Sequence, residues 1–305
     1  MRRLLLAVVL APPALGAAAA QRDEAPSMYH IHGLAFAGAD PEVLLVATHT
    51  GLVRLRSGAP LEWVGEHRFD LMGFAAHPTQ AALVFASGHP DVQTYARERV
   101  GNLGLLVSGD GGRTWRSAVL RDEADFHALA YSPADGGRLY GWSVVGHAGL
   151  YRISTSDWSV QRLPAPGLED VLGLAASPDA AGTLFAGTTQ GLMASRDGGA
   201  TWRAVAGLPR LPVTAVAYDV ADAKVVYAAL LRGQGTVMRS PDGGVTWRRT
   251  SFETERETAV VALAAGPGGH VAAATTGADV VRSRDGGRTW TKILERGRVS
   301  GPAPD

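Results

Sequence analysis

Ser108-Gly109-Asp110-Gly111-Gly112-Arg113-Thr114-Trp115 recurs at 195–202, 240–247 and 283–290, and each copy reads Ser-x-Asp-x-Gly-x-Thr-Trp. A phrase returning at a near-constant interval marks a chain built from repeats. Tryptophan alone shows the interval: Trp115, Trp158, Trp202, Trp247 and Trp290 lie 43, 44, 45 and 43 residues apart, and Trp63 precedes Trp115 by 52. The repeats ending at Trp63 and Trp158 carry decayed phrases, so the period predicts six units.

Each unit opens on a run of small apolar residues, at 32–36, 72–76, 127–131, 172–176, 214–218 and 261–265. Strands crowded around an axis need Gly and Ala, so these runs read as innermost strands. A Pro/Asp/Gly turn follows, such as Ser177-Pro178-Asp179, and then a second apolar strand such as Leu184-Phe185-Ala186. A Gly-led third strand, as in Gly191-Leu192-Met193-Ala194, runs into the phrase, and a short fourth strand begins at its Trp. Four short strands per unit, six times over, predict an all-β fold: a six-bladed β-propeller with four-stranded blades and the phrase on the strand 3–4 hairpins. A closed ring also removes exposed sheet edges.

The ends of the chain read differently. Arg2 and Arg3, the apolar run from Leu4 to Leu10 and Ala18-Ala19-Ala20 predict a secretory signal peptide over residues 1–20, cleaved after Ala20. The propeller is expected over 21–295, with a disordered Gly/Pro/Arg-rich tail over 296–305. The protein is thus expected to be periplasmic or secreted and monomeric. The chain has no Cys, so no disulfide can staple it, and about 285 mature residues suffice for a self-supporting core. A formal net charge of +0 argues against nucleic acid, and no segment has the ~18 apolar residues of a membrane span.

The phrase resembles the Asp-box, or bacterial neuraminidase repeat (BNR), over essentially the whole mature chain. The resemblance implies a structural turn in which Asp110, Asp197, Asp242 and Asp285 accept backbone N–H bonds. A calcium loop would need several carboxylates, and the phrase has one. His30-Ile31-His32-Gly33 and Ser87-Gly88-His89-Pro90 resemble exported bacterial glycosyl-hydrolase-like BNR-repeat proteins. Sialidases and photosystem-assembly factors share this ring, so beside a metal- or ligand-binding scaffold the resemblance implies two alternatives, a sialidase-like glycoside hydrolase and a protein-assembly factor. The Arg-Ile-Pro segment of sialidases is absent.

Seven of the nine histidines map to the face opposite the phrases, all in the first three units. His30 and His32 open the first inner strand, and His127 and Met72 hold the position of His32 in units three and two. His49, His89 and His147 end the second strands, and His67 lies in the first crossover. Asp70, Asp125 and Asp170 hold the position of His30. Imidazole with carboxylate is a donor set for transition metals. His30, His32 and His127 are therefore the candidate ligands, with His49, Met72, Asp70 and Asp125 as a surrounding shell, and copper or zinc as the ion. The expected partner is a metal, a small ligand or a glycan at this face. For a glycosidase the candidate carboxylates are Asp70, Asp125 and Asp170. Residues 90–101 form an insertion on the same face, where binding loops or lids occur.

Overall fold

The computed structural model describes Met28 and residues 30–299. Its strands form six antiparallel sheets, each from one continuous stretch of chain. Blade one holds β1 (Ile31–Ala37), β2 (Asp40–Thr48), β3 (Gly51–Arg56) and β4 (Glu62–Trp63). Blade two holds β5 (Asp70–Ala76), β6 (Val84–His89), β7 (Leu105–Ser108) and β8 (Arg116–Val119), with helix α1 (Val92–Glu98) between β6 and β7. Blade three holds β9 (Phe126–Ser132), β10 (Arg138–Ser143), β11 (Gly149–Ser154) and β12 (Val160–Arg162). Blade four holds β13 (Val171–Ala176), β14 (Leu184–Thr188), β15 (Gly191–Ser195) and β16 (Arg203–Ala204). Blade five holds β17 (Val213–Tyr218), β18 (Val226–Leu231), β19 (Gly235–Ser240) and β20 (Arg248–Glu253). Blade six holds β21 (Val260–Gly266), β22 (His270–Thr275), β23 (Val280–Ser283), β24 (Thr291–Glu295) and a fifth strand, β25 (Arg298–Val299). Each first strand touches the first strands of both neighbours, and β1 meets β21 to close the ring: a six-bladed β-propeller.

Two expectations change at the margins. Arg298–Val299 pairs with Leu294 and Glu295, so the ordered sheet extends past the boundary drawn at Arg296. The insertion at 90–101 contains a helix, whose start is capped by Asp91 accepting the Thr94 N–H at 2.8 Å. The signal peptide and the last residues of the tail lie outside the described residues.

The small residues of the inner strands follow from the space they have. A Cβ on Gly33 would sit 2.6 Å from Phe74 Cβ of the next blade, and one on Gly73 would sit 2.3 Å from the Phe126 carbonyl. Outward from the axis the gaps widen and larger side chains fill them. Six apolar clusters form, each shared between adjacent blades. The six period-marking tryptophans have one job. Trp202 of blade four packs into the cluster with Leu150 and Leu163 of blade three, Trp115 joins the cluster of blades one and two, and Trp63 that of blades six and one. Each ties its blade to the one before.

All four intact phrases fold into the same turn. In the second, the Ser195 hydroxyl donates to Asp197 Oδ1 at 2.8 Å and accepts the Gly199 N–H at 2.9 Å. Asp197 then accepts from the Thr201 N–H at 2.9 Å and the Thr201 hydroxyl at 2.6 Å. These bonds hold the carboxyls of Asp110, Asp197 and Asp242 down at about 2, and Asp285 is lowered too, the Thr hydroxyl being the largest cause in each. The second Gly of the phrase is doubly required. Gly244 has φ +91°, and a Cβ there would lie 2.5 Å from Phe185 of blade four. Where blade six meets blade one, Glu42 accepts from Arg282 at 2.8 and 3.1 Å and from Arg284 at 2.9 Å.

Candidate metal centre

Every inner strand carries a β-bulge near its start. Ile31 pairs with Thr48 and Gly33 with Ala47, which leaves His32 as the extra residue. The same skip isolates Met72, His127, Leu172, Thr214 and Val261. A bulge bends the strand and re-aims a side chain. Here the six bulged residues all line one cavity of about 580 Å³ at the mouth of the channel, together with His30. Around this mouth the ring is chemically lopsided: His and Met come from blades one to three, Leu, Thr and Val from blades four to six.

At its His side three donors converge. His32 Nε2 lies 3.4 Å from His49 Nδ1 and 3.5 Å from Asp70 Oδ1, and His49 Nδ1 lies 3.1 Å from that same oxygen. A tetrahedral ion bound at about 2.0–2.1 Å needs donor-to-donor edges of roughly 3.3 Å, so this triangle has the right size for one face of its coordination shell. Among the described residues it is the one group of His and carboxylate side chains with three donor atoms all within 4.8 Å of one another. Asp70 Oδ1 is buried and accepts no well-aligned hydrogen bond, its nearest polar neighbours being the ring nitrogens of His49 and His32. An oxygen so placed costs free energy unless a proton or a cation meets it. Burial lowers the His32 pKa below the ordinary histidine range, with Asp70 pulling the other way, so His32 keeps a lone pair near neutral pH.

The donors continue into blade three. Asp70 Oδ2 lies 3.2 Å from His89 Nδ1, and the other nitrogen of that ring lies 3.4 Å from Asp125 Oδ2. The same Asp125 oxygen is 2.9 Å from His127 Nε2. Asp70 faces His89 directly across the β5–β6 ladder. Asp125 is 3% exposed, its amide donates to Ser143 Oγ at 3.2 Å, and its Oδ1 has no partner.

The sequence reading named most of these residues but grouped them differently. Of its three candidate ligands, His32 enters the donor triangle. His127 is held by Asp125, and the exposed His30 ring stands 5.6 Å from the His49 ring. His49 and Asp70, read as shell, supply two of the three donors. His89 lies outside the ligand set and shell expected from the sequence, although it shares the repeat position of His49. Asp170, the third carboxylate in register, accepts instead from the Thr189 hydroxyl at 3.2 Å and stays out of the cluster. His67 stacks on Phe69, and His147 contributes its carbonyl to the Tyr151 hydroxyl. His77 accepts from Thr79 and Gln80, and His270 lies against Arg282, both on the phrase-bearing face. A groove of about 870 Å³ runs along blade four between Glu169 and Arg210, and none of these donors lines it.

No protein-family model and no curated protein matches the chain. Solved structures do. A GH74 enzyme from Niastella koreensis aligns with TM-score 0.62 and 16% identity over 88% of this chain and 46% of its own. A GH74 xyloglucanase from Xanthomonas campestris aligns at 0.57 and 19% over the same shares. YCF48 bound to D1 peptide aligns at 0.51 and 17% over 88% of this chain and 83% of its own. The chain therefore spans about half the length of the GH74 enzymes it resembles. At these identities the likeness is one of fold, and function has to be argued from the site.

Proposed function

We propose that this propeller is a metal-binding scaffold, taking a transition-metal cation at the channel mouth through His32, His49 and Asp70. The observation that carries the reading is the donor triangle with edges of 3.1, 3.4 and 3.5 Å around a buried carboxylate oxygen that lacks a hydrogen bond. Two imidazoles and one carboxylate suit zinc or copper(II) and leave coordination positions for a ligand from the channel mouth. The Arg2-Arg3 start, the apolar run from Leu4 to Leu10 and Ala18-Ala19-Ala20 are the sequence features that support reading the protein as exported. A glycoside hydrolase is less well supported. It needs two carboxyls facing each other across an open cleft. Asp70 and Asp125 instead share one imidazole on the same rim, and Asp125 is closed off from solvent.

The test is competition of the protein with a chromophoric chelator for Zn²⁺ and Cu²⁺, with elemental analysis of protein purified without chelator. Wild type should take up about one ion per chain. The double variant His32→Ala/His49→Ala should take up none while melting as a folded ring. Equal uptake by the two proteins would contradict the assignment, and turnover of a glycoside panel by wild type would favour the hydrolase.

A further inference from the structure

Asp70 is one donor with two oxygens, and they do different things. Oδ1 points to the triangle. Oδ2 is taken by His89, whose second nitrogen leans on Asp125, which in turn holds His127. Three blades therefore contribute to one line of alternating carboxylates and imidazoles, running from the donor triangle into the wall of blade three.

The far end of this line is the most firmly fixed. Asp125 sits between Ala124 and Phe126, both fully buried. Its N–H is held by Ser143 Oγ, and its C=O accepts the Val144 N–H at 3.0 Å. A carboxylate buried this deeply is costly unless it is paired or hydrogen-bonded. His89 is 41% exposed and His127 37% exposed, so packing alone does not fix either ring. Resting on the proposed metal site, we infer that Asp125 is its positioning residue, acting through His89 to fix the rotamer of Asp70 so that Oδ1 faces His32 and His49.

The physical basis is general. A monodentate carboxylate free to rotate about its χ2 offers the ion either oxygen, or neither, and loses rotational freedom when it binds. A hydrogen bond to the non-ligating oxygen removes that freedom beforehand. Groups that orient ligands in this way are worth about 10–100-fold in metal affinity although they never touch the ion. The arrangement also accounts for the lopsided ring. His32 and His49 of blade one, Asp70 and His89 of blade two and Asp125 and His127 of blade three are needed for one ligand set and its support, and the bulge positions of blades four to six are free to carry Leu, Thr and Val.

Zn²⁺ affinity by chelator competition and the visible spectrum of the Co²⁺-loaded full-length protein test the inference together. The variants are Asp125→Leu, His89→Phe and, should Asp125→Leu fail to fold, the near-isosteric Asp125→Asn. Wild type should bind tightly with an intense tetrahedral Co²⁺ spectrum. Asp125→Leu and His89→Phe should bind about 10–100-fold more weakly, with weaker and shifted bands. Asp125→Asn, which keeps an oxygen for His89 but not the charge, should fall between. His147→Ala, on the same face but outside the line, should match wild type. A purely packing role for Asp125 would lower the melting temperature and leave affinity and spectrum within about two-fold of wild type, well short of the roughly 10–100-fold expected of a ligand-orienting group. That result overturns this inference while leaving the metal site standing. Failure of wild type to bind either ion overturns both.

Discussion

The two faces of the disc are built on opposite rules. On one, four turns repeat the same Ser, Asp, Gly and Thr hydrogen bonds almost bond for bond. On the other, the position held by His32 becomes Met72, His127, Leu172, Thr214 and Val261 as the chain passes from blade to blade. Repetition marks the job every blade shares, which is to close its outer hairpin and dock on its neighbour. Divergence marks the job only some blades do. In a ring whose units fold alike, the residues that break the repeat are where chemistry should be sought, and here they cluster in blades one to three.

Changes on the repeating face should lower stability and spare binding, and changes on the divergent face should alter binding and leave the ring folded. The largest stability effect should come from Trp202→Ala. Trp202 is buried between blades three and four, so urea denaturation should show a loss of about 3–5 kcal/mol. Metal uptake at the far face should be unaffected under native conditions. Ser195→Ala should cost less, about 1–2 kcal/mol, because it removes one buried hydroxyl that both donates to Asp197 and accepts from Gly199.

Acid should separate further groups by window. Burial holds His32, His77 and His270 below the ordinary histidine range. As pH falls below about 6.5 the unfolded chain takes up protons that the folded one refuses. Their share of stability is therefore full above that pH and lost on the way down. Asp110, Asp197 and Asp242 have carboxyls depressed to about 2. Their share is full above about pH 4 and disappears as pH approaches 2. Thermal melts from pH 8 to 2 should decline in these two windows, and replacing Asp197 and Asp242 by Asn should reduce the lower decline and leave the upper one unchanged. The smallest effect belongs to Val92→Ser on helix α1. Val92 is 85% exposed, so a melt displaced by more than about 0.5 kcal/mol would mean that the insertion packs against something.

Most of the fold was legible because the signals were repeated. One tryptophan per blade, a Gly that must approach the neighbouring blade and small residues at the axis are each written several times. Helix α1 escaped notice because it is seven residues long and shows no apolar stripe, and Asp91 as its cap was the one available clue. The face of the site was legible, but its internal grouping was not. Strand alternation pairs His30 with His32, whereas the bulge at His32 breaks that alternation. His49 comes beside them through the backbone bond from its N–H to the His30 carbonyl, 3.2 Å long, which depends on ladder register rather than on spacing. His89 was readable in principle, since it closes the second strand of blade two as His49 closes that of blade one.

X-ray absorption of the Zn²⁺-loaded protein reads which side chains surround a bound ion. The expected spectrum shows two imidazoles and carboxylate or solvent oxygen at about 2.0–2.1 Å, and the imidazole signature disappears in His32→Ala/His49→Ala. A shell of oxygen atoms alone, unchanged in that double variant, would place the ion away from His32 and His49 and contradict the proposed site.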